Sequence, residues 1–227
     1  LVIASHGFGG TKEGSNDFSL KLAEKLTGNK IALLSYDFRG CGKSSHKMNE
    51  LDLHDFIEDL NDIFNFASTH SLIDEESIAL QGTSFGGLVT SLASSEFHKL
   101  IQGLALIVPA AYGKTWQSIY DESLEELKDH DLLPFYDHML KRSFVVNFLK
   151  ARADLSFEKY CKHLPSLLIA AEKDEVIPFD HALAYKEASS NMSFEKIEGA
   201  DHSFLNIEAQ EAMILSLSEF YFTLFKT

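Results

Sequence analysis

Short apolar runs recur along the chain and predict the strands of a sheet. The runs are Leu1–Ser5, Ile31–Tyr36, Ser77–Gln81, Gly103–Val108, Ser166–Ala171 and Ser193–Ile197. They are largely continuous rather than alternating, which is typical of strands that are buried on both faces. The pattern therefore favours a parallel sheet that is covered on each side.

Helical patterns lie between these runs. Apolar residues recur every four positions at Phe18, Leu22 and Leu26, and a stripe at i, i+3 and i+4 spacing extends from Leu53 to Phe64. Two further stretches, Ser84–Glu96 and Phe204–Phe225, also have helical patterns. The alternation of strand and helix predicts an α/β fold, with a mostly parallel sheet and helices on both faces.

One long stretch interrupts the alternation, between Val108 and Ser166. A plain crossover between strands needs far fewer residues, so we expect two or three inserted helices at about residues 112–160, over one end of the sheet. The insert carries the aromatic residues Tyr112, Trp116 and Phe135. Long excursions in compact domains are often lids over a site, and surface decoration is the alternative.

Composition limits the classes of protein that fit. The chain has 227 residues, of which 45% are apolar and 24% charged, so we expect one domain over residues 1–227. The net charge of −14 would repel nucleic acid and anionic lipid, and neither is an expected partner. No apolar run approaches the roughly 20 residues of a membrane helix, so no membrane span is expected.

The two cysteines, Cys41 and Cys161, are too few for a disulfide framework and lack metal-binding spacing. They predict reduced thiols in a cytoplasmic protein, and a single structural disulfide is the alternative. Whether the chain forms a homodimer stays open.

The strongest chemical motif is Gly82-Thr83-Ser84-Phe85-Gly86, which follows a predicted strand and opens a predicted helix. A nucleophile elbow has this context, because its tight turn needs small neighbours and raises the serine above the sheet. The alternative is a serine that merely caps the helix.

A nucleophilic serine needs a base and a group that orients the base. Among the ten histidines, His202 alone lies between the last strand and the last helix, at the sheet edge where Ser84 emerges. Asp174 follows the preceding strand and is the best orienting acid. Glu172, Glu175 and Asp180 are nearby acids that we interpret as surface charge. Asp201 adjoins His202, but neighbouring side chains on an extended loop usually point apart.

The string His6-Gly7-Phe8-Gly9-Gly10 directly follows the first strand. Glycines let a backbone approach a substrate closely, and preorganised N–H groups stabilise the oxyanion of acyl transfer. We expect the N–H groups of Phe8 and Phe85 to be these donors, and His6 to be structural.

The order of these motifs resembles the α/β-hydrolase superfamily. Supporting strings are Asp37-Phe38-Arg39-Gly40-Cys41-Gly42-Lys43-Ser44, Lys173–Pro178 and Glu198–His202. Within the superfamily, the chain most resembles small bacterial carboxylesterases of the cinnamoyl/feruloyl type, with monoacylglycerol-lipase-like enzymes close behind. Thr83 departs from the pattern, because His or Tyr is frequent there, as does Ala171, where Gly is common.

The resemblance implies a serine esterase that cleaves small-molecule esters through Ser84, His202 and Asp174, with no metal and no organic cofactor. Tyr112, Trp116 and Phe135 are candidates for the substrate pocket. The alternatives are a lipase, a thioesterase or a serine aminopeptidase on the same fold, or a non-catalytic ligand-binding protein. The family usually has two further strands before the His-Gly strand, so we expect residues before Leu1 and an unpaired apolar edge at Ile31–Tyr36.

Overall fold

The computed structural model describes residues 1–226, without the side chains of residues 122 and 123. Its strands are β1 (Val2–Ser5), β2 (Leu33–Ser35), β3 (Ala79–Thr83), β4 (Gly103–Ile107), β5 (Leu132–Phe135), β6 (His138–Lys141), β7 (Ser166–Lys173) and β8 (Met192–Asp201). Its α-helices are α1 (Phe18–Thr27), α2 (Leu53–Ser68), α3 (Phe85–Phe97), α4 (Gln117–Glu126), α5 (Arg142–Lys150), α6 (Ala153–Tyr160), α7 (Phe179–Glu187) and α8 (Ile207–Leu224). Short 3₁₀ helices span Ser15–Asp17, Met48–Glu50 and Gly113–Trp116.

Six strands form a parallel sheet in the order β2-β1-β3-β4-β7-β8. The six predicted strands are therefore confirmed, as is their parallel arrangement. The strand order reverses direction between β1 and β3, and ligands of open α/β sheets bind beyond the carboxyl ends of the strands at such a point. Within the described residues β2 pairs with β1 alone, so it lies at the sheet edge, as expected.

Alternate side chains of the strands feed two cores, one on each face of the sheet. On one face, Val2 and Ala79 pack with the apolar residues of α1 and α8. On the other, Ile3 and Leu80 pack with α2, α3 and the helices of the insert. Apolar side chains are therefore buried from water on both faces of the sheet, which explains why the strand sequences are apolar throughout.

The insert differs in part from its prediction. Helices α4, α5 and α6 form as expected, but β5 and β6 make an antiparallel hairpin between α4 and α5 that the sequence did not predict. Its turn places Tyr136 at a φ of 50°, without the glycine that usually indicates such a turn. Pro134 within β5 further hides the strand pattern, since proline cannot donate to a ladder.

The last strand is also longer than predicted. Glu198–Asp201 was expected in a loop, but β8 extends to Asp201, which pairs with Lys173 of β7 beyond an irregularity in the register. Asp174 therefore directly follows Lys173, and His202 directly follows its pairing partner Asp201. This register brings the two residues side by side.

Candidate active site

Ser84 lies at the sharp turn between β3 and α3. Its backbone adopts φ 54° and ψ −117°, a conformation that non-glycine residues rarely occupy. The turn packs too tightly for side chains at its two glycines: a Cβ on Gly82 would lie 2.6 Å from the Gly86 oxygen, and one on Gly86 would overlap the Ser5 oxygen. The Gly-x-Ser-x-Gly spacing is thus a steric requirement of this turn.

His202 connects Ser84 to Asp174. Its Nε2 lies 3.0 Å from the Ser84 Oγ, and its Nδ1 lies 2.9 Å from both carboxylate oxygens of Asp174. The side chains of His202 and Asp174 are 13% and 8% exposed, so this pair is largely withdrawn from water. A carboxylate on Nδ1 favours the tautomer in which Nε2 can accept the serine proton.

The carboxylate of Asp174 is itself held by the backbone. Its Oδ1 accepts hydrogen bonds from the N–H groups of Val176 and Ile177, at 2.9 and 2.8 Å. The neighbouring acids have other partners: Glu172 accepts from the Gly199 N–H at 2.9 Å, and Asp201 accepts from the Ser203 N–H at 2.9 Å. Glu175 has only a 3.5 Å contact with the His202 N–H. Among these acids, Asp174 alone bonds to the imidazole.

The loop after β1 lies directly against Ser84. A Cβ on Gly7 would lie 3.4 Å from the Ser84 Cβ, and the rings of Phe8 and Phe85 pack edge to face at 5.5 Å. Phe85 is the first residue of α3, where an N–H has no acceptor within the helix. The N–H of Phe8 likewise has no acceptor in the described part of the chain. The backbone N–H groups of Phe8 and Phe85 are therefore available to an anion beside Ser84.

His6 fastens this loop to its neighbour. Its Nε2 accepts from the Phe38 N–H at 3.1 Å, so its Nδ1 carries the proton and donates to the Gly7 oxygen at 2.7 Å. Burial lowers the pKa of His6 below its ordinary value, although the hydrogen bond to Gly7 and nearby carboxylates oppose this. The imidazole is thus a neutral bridge between the loops after β1 and β2.

Asp37 provides a second bridge between the same two loops. Its carboxylate accepts from the Lys12 N–H at 2.7 Å and from the Lys43 N–H at 3.0 Å. Gly42 has a φ of 51°, and a Cβ there would overlap the Asp37 carboxylate. Arg39 is held in turn by Asp59, with 2.7 Å between its N–H and the carboxylate. The Asp-x-Arg-Gly-x-Gly string therefore supports the loop that carries Phe8.

A cavity of about 630 Å³ opens at Ser84 and His202. The insert forms one wall of it with aromatic side chains, which are Trp116, Phe135, Tyr136, His138 and Phe148. The Phe8 ring lies at the centre of this wall, 4.9 Å from the ring of Phe135 and 5.6 Å from that of His138. Two of the three pocket candidates, Trp116 and Phe135, therefore line the same cavity as Ser84.

The third pocket candidate, Tyr112, lies elsewhere, and the cavity lining does not include it. Its ring stacks on His181 at 4.2 Å, and its hydroxyl donates to Asp180 at 2.7 Å. His181 is fully buried, accepts from the Ala111 N–H at 2.9 Å, and lies 2.7 Å from the Thr115 hydroxyl. Tyr112 thus belongs to the joint at which the insert begins, because its partners hold the chain there.

Three further features of the sequence concern the cysteines, a metal site and a membrane span. Cys41 and Cys161 are separate buried thiols, and burial raises the pKa of each to about 11. In the described part of the chain, no group of three or more His, Cys, Asp or Glu side chains is arranged to hold a metal ion. None of the helices over residues 1–226 is long and apolar enough to cross a membrane.

Sequence reasoning missed several cavity residues. Tyr136 and His138 belong to the unpredicted hairpin, so no pattern assigned them to this wall. Phe148 follows an ordinary helical spacing in α5, and nothing in that spacing shows which face points at Ser84. Gln81 and Thr83 also line the cavity from β3. Thr83 was conspicuous in the sequence only as a departure from the family pattern.

One class of hydrolase-like α/β proteins is defined by a parallel sheet with three such residues. They are a serine at a β–α elbow, a histidine after the last strand, and an acid after the strand before it. The chain belongs to the alpha/beta hydrolase fold family, whose pattern it matches over residues 1–144. The predicted resemblance is confirmed.

Individual relatives are more distant. The chain is 27% identical to the putative esterase YitV from Bacillus subtilis over 218 residues, covering 89% of this chain and 82% of YitV. The structure of Est1E from Butyrivibrio proteoclasticus with ferulic acid bound is similar at a TM-score of 0.82 and 22% identity, over 100% of this chain and 89% of that one. The alpha/beta hydrolase GrgF from Penicillium sp. sh18 is similar at a TM-score of 0.83 and 19% identity, over 100% and 90% of the two chains.

Proposed function

We propose that this protein is a serine hydrolase that cleaves carboxylic esters through an acyl-enzyme intermediate. The observation that carries the proposal is the hydrogen-bonded series from the Ser84 Oγ through the His202 ring to the Asp174 carboxylate, at 3.0 and 2.9 Å. Family membership supports a hydrolase, and the relative YitV, which is named a putative esterase, supports ester cleavage.

In the first half of the reaction, the Ser84 Oγ attacks the ester carbonyl carbon while His202 Nε2 takes the hydroxyl proton. The negative charge that develops on the carbonyl oxygen is stabilised by the N–H groups of Phe8 and Phe85. Each such donor contributes roughly 2.7–4 kcal/mol in acyl transfer. Asp174 stabilises the imidazolium and holds its orientation.

The protonated His202 then gives its proton to the leaving alcohol oxygen, and the carbon–oxygen bond breaks. A water molecule attacks the acyl-enzyme with His202 as the base, which releases the carboxylic acid and restores the Ser84 hydroxyl. The reaction balances with water as the only co-substrate. A thiol or an amine could replace the alcohol at the same step, so the leaving group must be tested directly.

We assign the acyl half of the substrate to the aromatic wall beneath the insert. Trp116 and Phe135 both border the cavity at Ser84. Apolar contact there would stabilise a bound acyl group by about 25 cal/mol per Å² of buried area. The insert would then act as a lid.

A fluorophosphonate probe tests the nucleophile, because it reacts with activated serines. We expect the parent to be labelled at Ser84 and Ser84→Ala to remain unlabelled. Ser71→Ala is the matched control, since Ser71 is an exposed serine in the loop after α2. Labelling that persists in Ser84→Ala would show that another serine is the nucleophile. Absence of labelling in the parent would favour a non-catalytic binding protein.

A substrate panel tests the leaving group. We expect p-nitrophenyl esters of increasing chain length to be hydrolysed faster than a matched thioester or an aminoacyl anilide, and to compete with probe labelling. Faster cleavage of the thioester or the anilide would replace the esterase assignment with a thioesterase or an aminopeptidase.

A further inference from the structure

The cavity at Ser84 has a second arm, on the face of the sheet that α1 and α8 cover. Lining residues there are Ser19 of α1, Gln81 and Thr83 of β3, and Gln210 and Met213 of α8. Gln81 follows Ala79 by two residues, so its side chain leaves the sheet on this same face, opposite the insert's core. The arm is therefore distinct from the aromatic wall of the insert.

Two polar groups in this arm face the cavity without a partner in the described part of the chain. Gln81 is only 1% exposed, and one end of its amide is bonded to the Tyr221 hydroxyl at 3.0 Å. The other end has no hydrogen-bond partner within residues 1–226, and neither has the hydroxyl of the buried Ser19, although both residues border the cavity. Polar groups that border a cavity without a protein partner are available to hydrogen-bond to a ligand there.

The direction of proton transfer from His202 indicates which half of an ester would occupy this arm. The leaving oxygen must receive its proton from His202 Nε2, so the alcohol must lie on the His202 side of Ser84. The second arm is bordered by His202 and, beyond it, by Phe204, Gln210 and Met213, which belong to the segment that follows β8. The aromatic wall lies on the insert's side and is left for the acyl group.

We propose that the second arm binds the alcohol half of the substrate, that this alcohol bears a free hydroxyl, as in a glycol or glycerol ester, and that Gln81 selects it. The inference rests on the proposed ester hydrolysis. The polar groups that Gln81, Ser19 and Thr83 present are an amide and two hydroxyls, which match a hydroxyl group. The small side chain of Thr83 leaves this arm open directly beside Ser84.

Two esters with the same acyl group and the same number of alcohol carbons test the selection: glyceryl monobutyrate and propyl butyrate. The double variant Gln81→Leu/Tyr221→Phe removes both members of the buried pair, so no polar group is stranded. We expect the ratio of kcat/KM for the glyceryl over the propyl ester to fall about three- to tenfold. Tyr221→Phe alone is the matched control, and it should keep the ratio because the amide remains.

An unchanged ratio in a well-folded double variant would overturn the proposal. A second measurement does not depend on catalysis: the side-chain amide resonance of Gln81, followed by NMR as glycerol is added. We expect a saturable shift in the parent and in Leu20→Ala, an exposed change beside Ser19, and its loss in Ser19→Leu, which fills the arm. If the parent hydrolyses no ester but shows the shift, the esterase proposal fails and the site stands. If the parent shows no shift, the site is wrong, whatever the activity.

Discussion

The sheet edge and the insert place their residues by different means. At the sheet edge, Ser84, Asp174 and His202 are fixed by backbone hydrogen bonds, a paired register and a turn that tolerates no side chain at its glycines. In the insert, Phe135 is fixed by ring contacts with Phe8, Tyr120, Phe144 and Phe148, at 4.9 to 5.4 Å. We infer that chemistry resides at the sheet edge and that the insert supplies binding.

The largest expected effect is at the base. His202→Ala should lower kcat for every ester by a factor on the order of 10⁴ or more, because no other imidazole contacts the Ser84 Oγ in the described residues. The melting temperature should change little, since the Asp174 carboxylate keeps its hydrogen bonds from the Val176 and Ile177 N–H groups. Steady-state kinetics with p-nitrophenyl acetate will measure this. A residual rate above a few per cent would mean that the chemistry lies elsewhere.

Asp174→Asn should follow, with a loss on the order of 10³- to 10⁴-fold in kcat, because an amide can favour the wrong tautomer of His202. Glu175→Gln and Asp201→Asn are the matched controls. Neither carboxylate bonds to the imidazole, so each should retain most of its rate. An equal loss in either control would show that the acid has been assigned wrongly.

A smaller and more selective effect is expected in the insert. Trp116→Ala would remove apolar contact with a bulky acyl group, which stabilises binding by about 25 cal/mol per Å² of buried area, so KM for bulky esters should rise several-fold. Hydrolysis of p-nitrophenyl acetate should hardly change. The control is Tyr112→Phe, since Tyr112 does not line the cavity. The lid role of the insert fails if folded Trp116→Ala treats bulky and small esters as the parent does.

The smallest effect concerns stability at the joint between the two regions. Burial lowers the pKa of His181 below its ordinary value of 6.5, against opposing effects of Asp180, Asp154 and Asp174. The unfolded state then binds more protons, so the free energy of unfolding should decrease as the pH falls below about 6.5. Urea unfolding at pH 7.5 and 5.5 measures this decrease. His181→Gln should make it smaller, and an unchanged pH dependence would contradict the assignment.

Much of the sheet edge could be predicted because its rules are local. A glycine-flanked serine between a strand and a helix, and a histidine after the last strand, each have a steric or topological cause that one sequence can show. The acid is expected in the loop that follows the preceding strand, and Asp174 and Glu175 both lie in that loop. The register of the two strands, in which Lys173 of β7 pairs with Asp201 of β8, supports Asp174 because it brings this residue beside His202.

The insert could not be predicted to the same depth because its order depends on contacts between distant rings. The sequence does not distinguish Tyr112 from Trp116 as pocket candidates. In the structure, Tyr112 stacks on His181, whereas Trp116 borders the cavity. The hairpin formed despite Pro134 and without a turn glycine, which shows tertiary packing overriding local preference. Local patterns contain no information of this kind.

The two ends of the insert meet at one place. Gly113 donates to the Ala151 oxygen at 3.2 Å, Ala153 donates to the Ala111 oxygen at 2.8 Å, and Tyr112 bridges to Arg152. The insert therefore begins and ends at adjacent positions beside the sheet. For protein engineering this is a natural splice point, because a foreign segment with equally close ends can be grafted there while the strands beneath keep their register. Substrate range could then be exchanged as a cassette, without redesigning the reactive centre.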